Sequence, residues 1–321
     1  MRILVTGGAG FIGSHLCERL INDGHTVTAI DNFSTGRALN LLSLKGSTNF
    51  TLVEGSILDS NTLTPLIDNV DYVFHLAAAV GVFNIVNNPL ASLLTNIRGT
   101  ENVLEAAHKT QTPVFLTSSS EVYGKNISDS LKESDDRILG SPVTLRWSYS
   151  EAKAIDESLA YAYFVEKQLE TRIVRFFNTV GPRQLGAYGM VVPRFVKSAI
   201  ANEPITIYGD GTQTRCFAHV FDVVDAVIAI AFADNTIGKV INIGNDFEIS
   251  INSLARKIIH ETGSMSEIVY VPYNEAYGDG FEDMERRVPN IDLINQLVGW
   301  KPKRDLTTMI SDISAEMKKN S

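Results

Sequence analysis

Met1-Arg-Ile-Leu-Val-Thr-Gly-Gly-Ala-Gly-Phe-Ile-Gly13 runs an apolar strand directly into glycines at positions 7, 10 and 13, with an amphipathic helix following. Gly7 permits a tight turn, Gly10 lets the backbone approach a pyrophosphate, and Gly13 lets the helix pack on the strand. Phe11 and Ile12 open that helix, whose free backbone N–H groups would face the phosphates. A second strand, Thr26-Val-Thr-Ala-Ile30, ends at Asp31-Asn32, where a carboxylate can accept hydrogen bonds from a ribose diol. The same acid disfavours a 2′-phosphate, so the dinucleotide reads as NAD rather than NADP. The bland alternative is a glycine-rich turn of another α/β protein, and the second strand with its terminal acid weighs against it.

Outward from that motif, the first half of the chain alternates strands and helices. Strands are expected at Arg2–Thr6, Thr26–Ile30, Phe50–Val53, Tyr72–Leu76, Val114–Thr117 and Thr171–Phe176, and helices at Ile12–Asn22, Leu90–His108 and Tyr149–Gln168. This predicts an α/β fold with a Rossmann-type doubly wound parallel sheet and ligands at the carboxyl ends of its strands. Residues 1–180 form the expected NAD-binding domain, and 181–321 a smaller, mainly substrate-binding lobe. Segments around 216–245 are expected to return to the first lobe, because Val240–Ile243 reads as a further buried strand. A helix is also expected at Ser253–Thr262.

The 321 residues are 44% apolar, enough for a large core, and the net charge of −9 argues against a nucleic-acid partner. The longest apolar helical stretch, around Ala226–Phe232, is bounded by Asp225 and Asp234 and falls far short of the about 20 residues a bilayer span requires. The N-terminus opens directly in a strand without a signal-peptide pattern. Cys17 and Cys216 have no metal or redox spacing, and the scattered histidines suggest no metal site. A protein acting in the reducing cytoplasm, without membrane or metal, is expected.

A second motif carries chemistry: Tyr149-Ser-Glu-Ala-Lys153. Residues four apart on a helix share a face, so the phenol and the ammonium can point into one site. A nearby cation favours phenolate and is expected to lower the phenol's pKa towards the working range. The ammonium can also hold the nicotinamide ribose.

With these motifs go His75-Leu-Ala-Ala78, Thr95-Asn96, Ser118-Ser-Ser-Glu-Val-Tyr-Gly124, Arg175-Phe-Phe-Asn-Thr-Val-Gly-Pro182, Tyr208-Gly-Asp-Gly211, Arg215 and Arg286-Arg-Val-Pro289. Together they make the chain resemble the extended short-chain dehydrogenase/reductase family, in its nucleotide-sugar epimerase, dehydratase and decarboxylase branch. The resemblance covers essentially the whole length. It implies that Tyr149 removes the proton of a sugar 4-hydroxyl while C4 is oxidised by NAD, with Ser119 hydrogen-bonded to the same oxygen. Leu76, Ala77, Ala78, Asn96 and Ser118 would lie along the cofactor, and Ser56 and Ile57 beside its adenine. Relatives often carry Gly-Asp-Ile at that last place, whereas this chain has Gly55-Ser-Ile57. Asn178 and Arg215 look like ligands of the substrate diphosphate, with Arg287 a third or a contact to the sugar. The resemblance also implies a homodimer through the helices Leu90–His108 and Tyr149–Gln168.

The loop after Ser119 separates the reactions of this branch. Dehydratases typically place Asp-Glu there; here the pair is Ser120-Glu121, which is similar to nucleotide-sugar decarboxylases, as is Arg287 two residues before Pro289. The expected activity is therefore UDP-glucuronate decarboxylation to UDP-xylose. Arg287 would position the carboxylate, and Glu121 would orient the pyranose or assist reprotonation at C5. The alternative is a UDP-sugar 4-epimerase acting on glucose/galactose, N-acetyl or uronate forms, and a remote one is a non-catalytic NAD-sensing protein. Tyr277-Gly-Asp-Gly-Phe-Glu-Asp-Met284, ahead of the arginine pair, does not match the decarboxylases closely.

Overall fold

The computed structural model describes residues 1–81, 85, 87–186, 190–272, 275, 284 and 286–319. Most of the 277–284 stretch lies outside these. Seven parallel strands form the central sheet: β1 (Arg2–Thr6), β2 (Thr26–Asp31), β3 (Phe50–Glu54), β4 (Tyr72–His75), β5 (Val114–Ser119), β6 (Thr171–Phe176) and β11 (Val240–Ile243). Their spatial order is β11-β6-β5-β4-β1-β2-β3. The strand order reverses between β1 and β4, where such sheets open a crevice at their carboxyl ends.

Helices cover both faces, which is why the central strands are apolar on both sides. On one face pack α1 (Phe11–Asn22), through Leu16, Cys17 and Leu20, and α6 (Val220–Ala231), through Val223, Val227 and Ile230. On the other pack α2 (Ser60–Ile67), α3 (Pro89–Thr110) and α4 (Ser148–Lys167), through Leu63, Ile67, Val103, Leu104 and Ala160. The helices start where the sequence supplies a cap: Asp59 accepts from Asn61 N at α2, and His219 accepts from Phe221 N at α6.

A second core holds the smaller lobe together. It joins α5 (Val191–Ile200), α7 (Ile251–Thr262) and α9 (Leu306–Lys319), with β8 (Ile205–Tyr208) beneath them. Short pairs complete it: β7 (Thr179–Val180) with β10 (Ala218–His219), β9 (Thr214–Cys216) with β12 (Glu248–Ser250), and β8 with β13 (Ile268–Val271). The chain crosses between lobes repeatedly. Ala218–Ile243 contributes α6 and β11 to the first core, and Ile294 of α8 (Asp292–Val298) and Trp300 return there again. No single cut at residue 180 separates the lobes, because their cores are sewn together by these returns.

Candidate active site

The reversal point of the sheet opens into a cavity of about 490 Å³ that runs from the glycine turn, past the ends of β4 and β5, to β9 in the smaller lobe. At its first end Gly7 takes φ +70, and a Cβ there would come within 2.8 Å of Ala77 N. A Cβ on Gly13 would overlap the Gly7 carbonyl oxygen. Gly10 is the N-cap of α1 and no side chain caps the helix, so its first N–H groups are open to a ligand. Asp31, buried at the end of β2, is held by Ala9 N donating to one carboxylate oxygen at 2.9 Å and Phe33 N donating to the other at 2.8 Å. A tight glycine cradle with open N–H donors and an oriented acid fits a pyrophosphate joined to a ribose diol. Phe11, Ile12, Asn32, Ser56, Ile57, Leu76, Ala77 and Ala78 line this part of the cavity.

Asn96 does not line it; Thr95 does. The buried Asn96 amide turns instead to the loop after β4, accepting from Ala79 N at 2.8 Å and donating to Ala79 O at 3.3 Å. Asn96 therefore shapes the cofactor loop without facing the cavity.

The middle of the cavity is formed by the end of β5 and the first turns of α4, where Ser118, Ser119, Ser120, Glu121, Tyr149 and Lys153 all line the wall. Ser119 ends β5, and its hydroxyl accepts from Glu121 N at 3.2 Å, which aims the Glu121 side chain inward. Ser118 donates to Glu157 at 2.5 Å, and Glu157 is gripped at both oxygens by Arg175 of β6. The Tyr149 phenol is held above its ordinary range, first by burial and then by the negative charges of Glu121 and Asp156, while the Ser119 hydroxyl bonded to it acts the other way. This corrects the expectation of a phenol depressed by Lys153. The ammonium is occupied, donating to Asp156 Oδ2 and to Thr117 O, each at 3.1 Å. His75, behind the site, bonds to Thr6 and Thr100 through its two ring nitrogens, and burial followed by the Lys153 charge lowers it to about 3.

At the far end, Arg287 Nη1 donates to Glu121 Oε1 at 2.5 Å and Arg287 Nη2 to Asn178 Oδ1 at 2.8 Å. The other Glu121 oxygen accepts from Arg146 Nη1 at 2.6 Å. Burial alone would raise the Glu121 carboxyl, but the charges and hydrogen bonds of Arg146 and Arg287 hold it well below the usual carboxylate range. A carboxylate so held is ionised and suited to accepting hydrogen bonds rather than giving a proton. Arg146, on the short helical turn before α4, was not singled out from the sequence. Its only signal is a cation one turn ahead of Tyr149. Arg194 and Gln213 also line the cavity and had no motif to mark them. The arginine pair divides its work: Arg287 enters the cavity, while Arg286 faces outward and bridges both oxygens of Glu248 at 2.7 and 2.8 Å. Asn178 donates to Cys216 O at 3.0 Å, bringing it beside Arg215, which lines the same wall.

Comparison with known proteins agrees with this architecture. Residues 3–244 match the model of the NAD dependent epimerase/dehydratase family. The chain is 42% identical over 302 residues to a UDP-N-acetyl-alpha-D-glucosaminuronate decarboxylase of Bacillus cytotoxicus, covering 94% of this chain and 92% of that one. It is 38% identical to UDP-glucuronic acid decarboxylase 1 of Xenopus tropicalis, covering 94% of this chain and 68% of the relative. Among solved structures, UDP-glucuronic acid 4-epimerase from Bacillus cereus, in complex with UDP-glucuronic acid and NAD, superposes with a TM-score of 0.88 at 30% identity, over 100% of both chains. With its glycine cradle, its Tyr149/Lys153 face and a match spanning most of its length, this chain belongs to the NAD-dependent epimerase/dehydratase family.

Proposed function

We propose that the protein decarboxylates a UDP-hexuronate, UDP-glucuronate first among them, giving UDP-xylose. One observation carries this reading: the ionised Glu121 sits between Arg146 and Arg287 in the cavity wall that also holds Tyr149. The decarboxylases of Bacillus cytotoxicus and Xenopus tropicalis support it as relatives.

The glycine cradle, Asp31 and Lys153 would hold NAD, whose nicotinamide would supply reversible hydride acceptance, so that C4 of the sugar could pass through a ketone with no net redox change. Tyr149 takes the O4 proton, and Ser119 holds the same oxygen in line. A ketone at C4 is β to the carboxyl group on C5, so the C5–carboxylate bond can break, releasing carbon dioxide with the bond's electrons entering an enolate, which takes a proton at C5 from solvent before C4 is reduced again. Arg287 binds the carboxylate and fixes it for loss, since a guanidinium is matched to a carboxylate's two oxygens and stays charged. Glu121 orients the pyranose and is kept ionised for that by Arg146. Arg215, Asn178 and Ser120 bind the diphosphate and adjoining sugar.

Proton NMR of the protein with UDP-glucuronate and catalytic NAD tests the proposal. Loss of the carboxylate with appearance of UDP-xylose supports it. Conversion to UDP-galacturonate with the carboxylate intact establishes the second reading, a 4-epimerase, which the Bacillus cereus neighbour favours. Inert UDP-glucuronate with turnover of its 2-acetamido counterpart moves the substrate to that of the Bacillus cytotoxicus relative.

We also propose a homodimer through the outer face of α3 and α4, where Leu90, Ile155, Tyr161 and Val165 are exposed. Light scattering at a monomer mass would refute it. Both cysteines are free and buried, which supports action in a reducing compartment, the cytoplasm.

A further inference from the structure

Three ionisable residues share one face of α4. Tyr149, Lys153 and Asp156 are spaced by four and then three residues, so they fall on one face of the helix, that facing β5 and the cavity. Asp156 has no exposure at all. One of its oxygens accepts from Lys153 Nζ at 3.1 Å, and the other, Oδ1, has no hydrogen-bond partner. Thr100 flanks the carboxylate, and its hydroxyl lies 3.2 Å from His75 Nε2. His75 Nδ1 is in turn 2.7 Å from the Thr6 hydroxyl, which accepts from Ala77 N in the cofactor loop. A line of buried polar groups thus joins Lys153 to the ends of β1 and β4.

Taking a carboxylate out of water costs several kcal/mol unless charge and hydrogen bonds offset it. Here the Lys153 ammonium offsets it first, with the Thr100 hydroxyl beside it, and that ammonium belongs to the site. No step assigned above uses Asp156. The groups facing Tyr149 are the Ser119 hydroxyl, the Glu121 carboxylate, which is neutralised by Arg146 and Arg287, and the Lys153–Asp156 pair. Those facing Asp156 are Lys153, Thr100 and, along the helix, Glu157, which is bound by Arg175.

We propose that Asp156 is a positioning residue of this active site: it anchors the Lys153 ammonium against the end of β5 and, by offsetting its charge, sets the pH at which Tyr149 acts as a base. The proposal rests on the reading of Tyr149 as the base for O4. With Asp156 charged, the Lys153 ammonium in the same cavity wall is paired with it. With Asp156 neutral, Lys153 becomes free to stabilise phenolate, and one negative charge facing Tyr149 disappears; both changes act in one direction.

The experiment compares Asp156→Asn with the unaltered protein in two ways. The first is the pH profile of kcat/KM for UDP-glucuronate, where the acid limb is expected to move down by about one pH unit. The second needs no turnover. An ultraviolet difference titration of tyrosinate, read as Asp156→Asn minus Asp156→Asn/Tyr149→Phe, isolates Tyr149 and should show the same downward displacement. An acid limb and a tyrosinate midpoint that stay in place, or move up, overturn the proposal and leave Asp156 a buried ion-pair partner. If Asp156→Asn does not fold by circular dichroism, Asp156→Ser removes the charge without an amide to bury and is read in the same way. The underlying reading fails separately: Tyr149→Phe with full activity removes Tyr149 as the base, while a displaced tyrosinate midpoint would still establish the influence of Asp156.

Discussion

Glu121 and Arg287 are 166 residues apart in the chain, yet their side chains meet at 2.5 Å inside the cavity. Arg287 is delivered by a late segment of the chain that pairs with Leu131: Leu131 N donates to Val288 O and Asn290 N to Leu131 O, both at 2.8 Å. That backbone pairing, with Arg286 clamped to Glu248 outside, fixes which arginine of the pair turns inward.

Replacing Arg287 by alanine leaves Glu121 paired with Arg146 alone and takes away the carboxylate contact. Truncating one member of a buried charge pair costs about 2–5 kcal/mol, so UDP-glucuronate decarboxylation should fall by about 30-fold or more. Arg287→Lys should recover little of this, because one ammonium cannot reach Glu121 and Asn178 in the same fork. Steady-state kinetics of the two variants decides it, and wild-type turnover by Arg287→Ala would remove this residue from the mechanism.

Arg146 and Glu121 should be strongly coupled in stability. Each has little exposure, and their 2.6 Å contact is one of the two that neutralise the buried Glu121 carboxylate. Urea unfolding of Arg146→Met, Glu121→Gln and the double variant should give a coupling energy of about 1–3 kcal/mol. Additive losses would mean that Arg287 alone neutralises Glu121.

Gly13→Ala tests the cofactor cradle. The added methyl would overlap the Gly7 carbonyl, so either α1 or the turn must move away from the pyrophosphate. Overpacking of this kind costs about 1–3 kcal/mol, and NAD affinity measured by calorimetry should drop by about tenfold or more. Unchanged binding would show that the turn has slack absent from this geometry.

Stability should fall in mild acid because of His15. Buried beside Phe221 and 3.0 Å from Pro182 O, it is lowered to about 4, first by burial and then by the charge of Arg183. The unfolded chain binds this proton below about pH 6.5 and the native chain does not, so its contribution is intact above that range and lost progressively towards pH 4. A difference of this size is worth about 3 kcal/mol. His75, lowered to about 3, extends the loss in the same direction. Denaturant midpoints between pH 7 and 4 should decline, and less steeply in His15→Gln; equal slopes would exclude His15 as the source.

Much of this was legible from local order. The run from Met1 to Gly13 specifies strand, turn and helix within thirteen residues, and Asp31 follows from the next strand, so the cofactor end needed no long-range information. Tyr149 and Lys153 were readable for the same reason, since helical spacing places them on one face. Other features depend on residues far apart in sequence. Helical spacing could not reveal the burial of the phenol or the Glu121 and Asp156 charges that face it, and so the direction of the Tyr149 shift reversed. Asn96 follows Thr95 in a motif, yet the rotation of α3 turns Thr95 to the cavity and Asn96 to Ala79. Arg146 became visible only when the fold set it against Glu121, because a lone arginine before a helix carries no period or spacing. The fold class and the dinucleotide cradle were determined by the sequence itself, through backbone freedom and apolar periodicity, which act over a few residues. The charge state of the site was decided by tertiary structure, because burial and the pairing of Glu121, Lys153 and Arg287 exist only once distant segments are packed together.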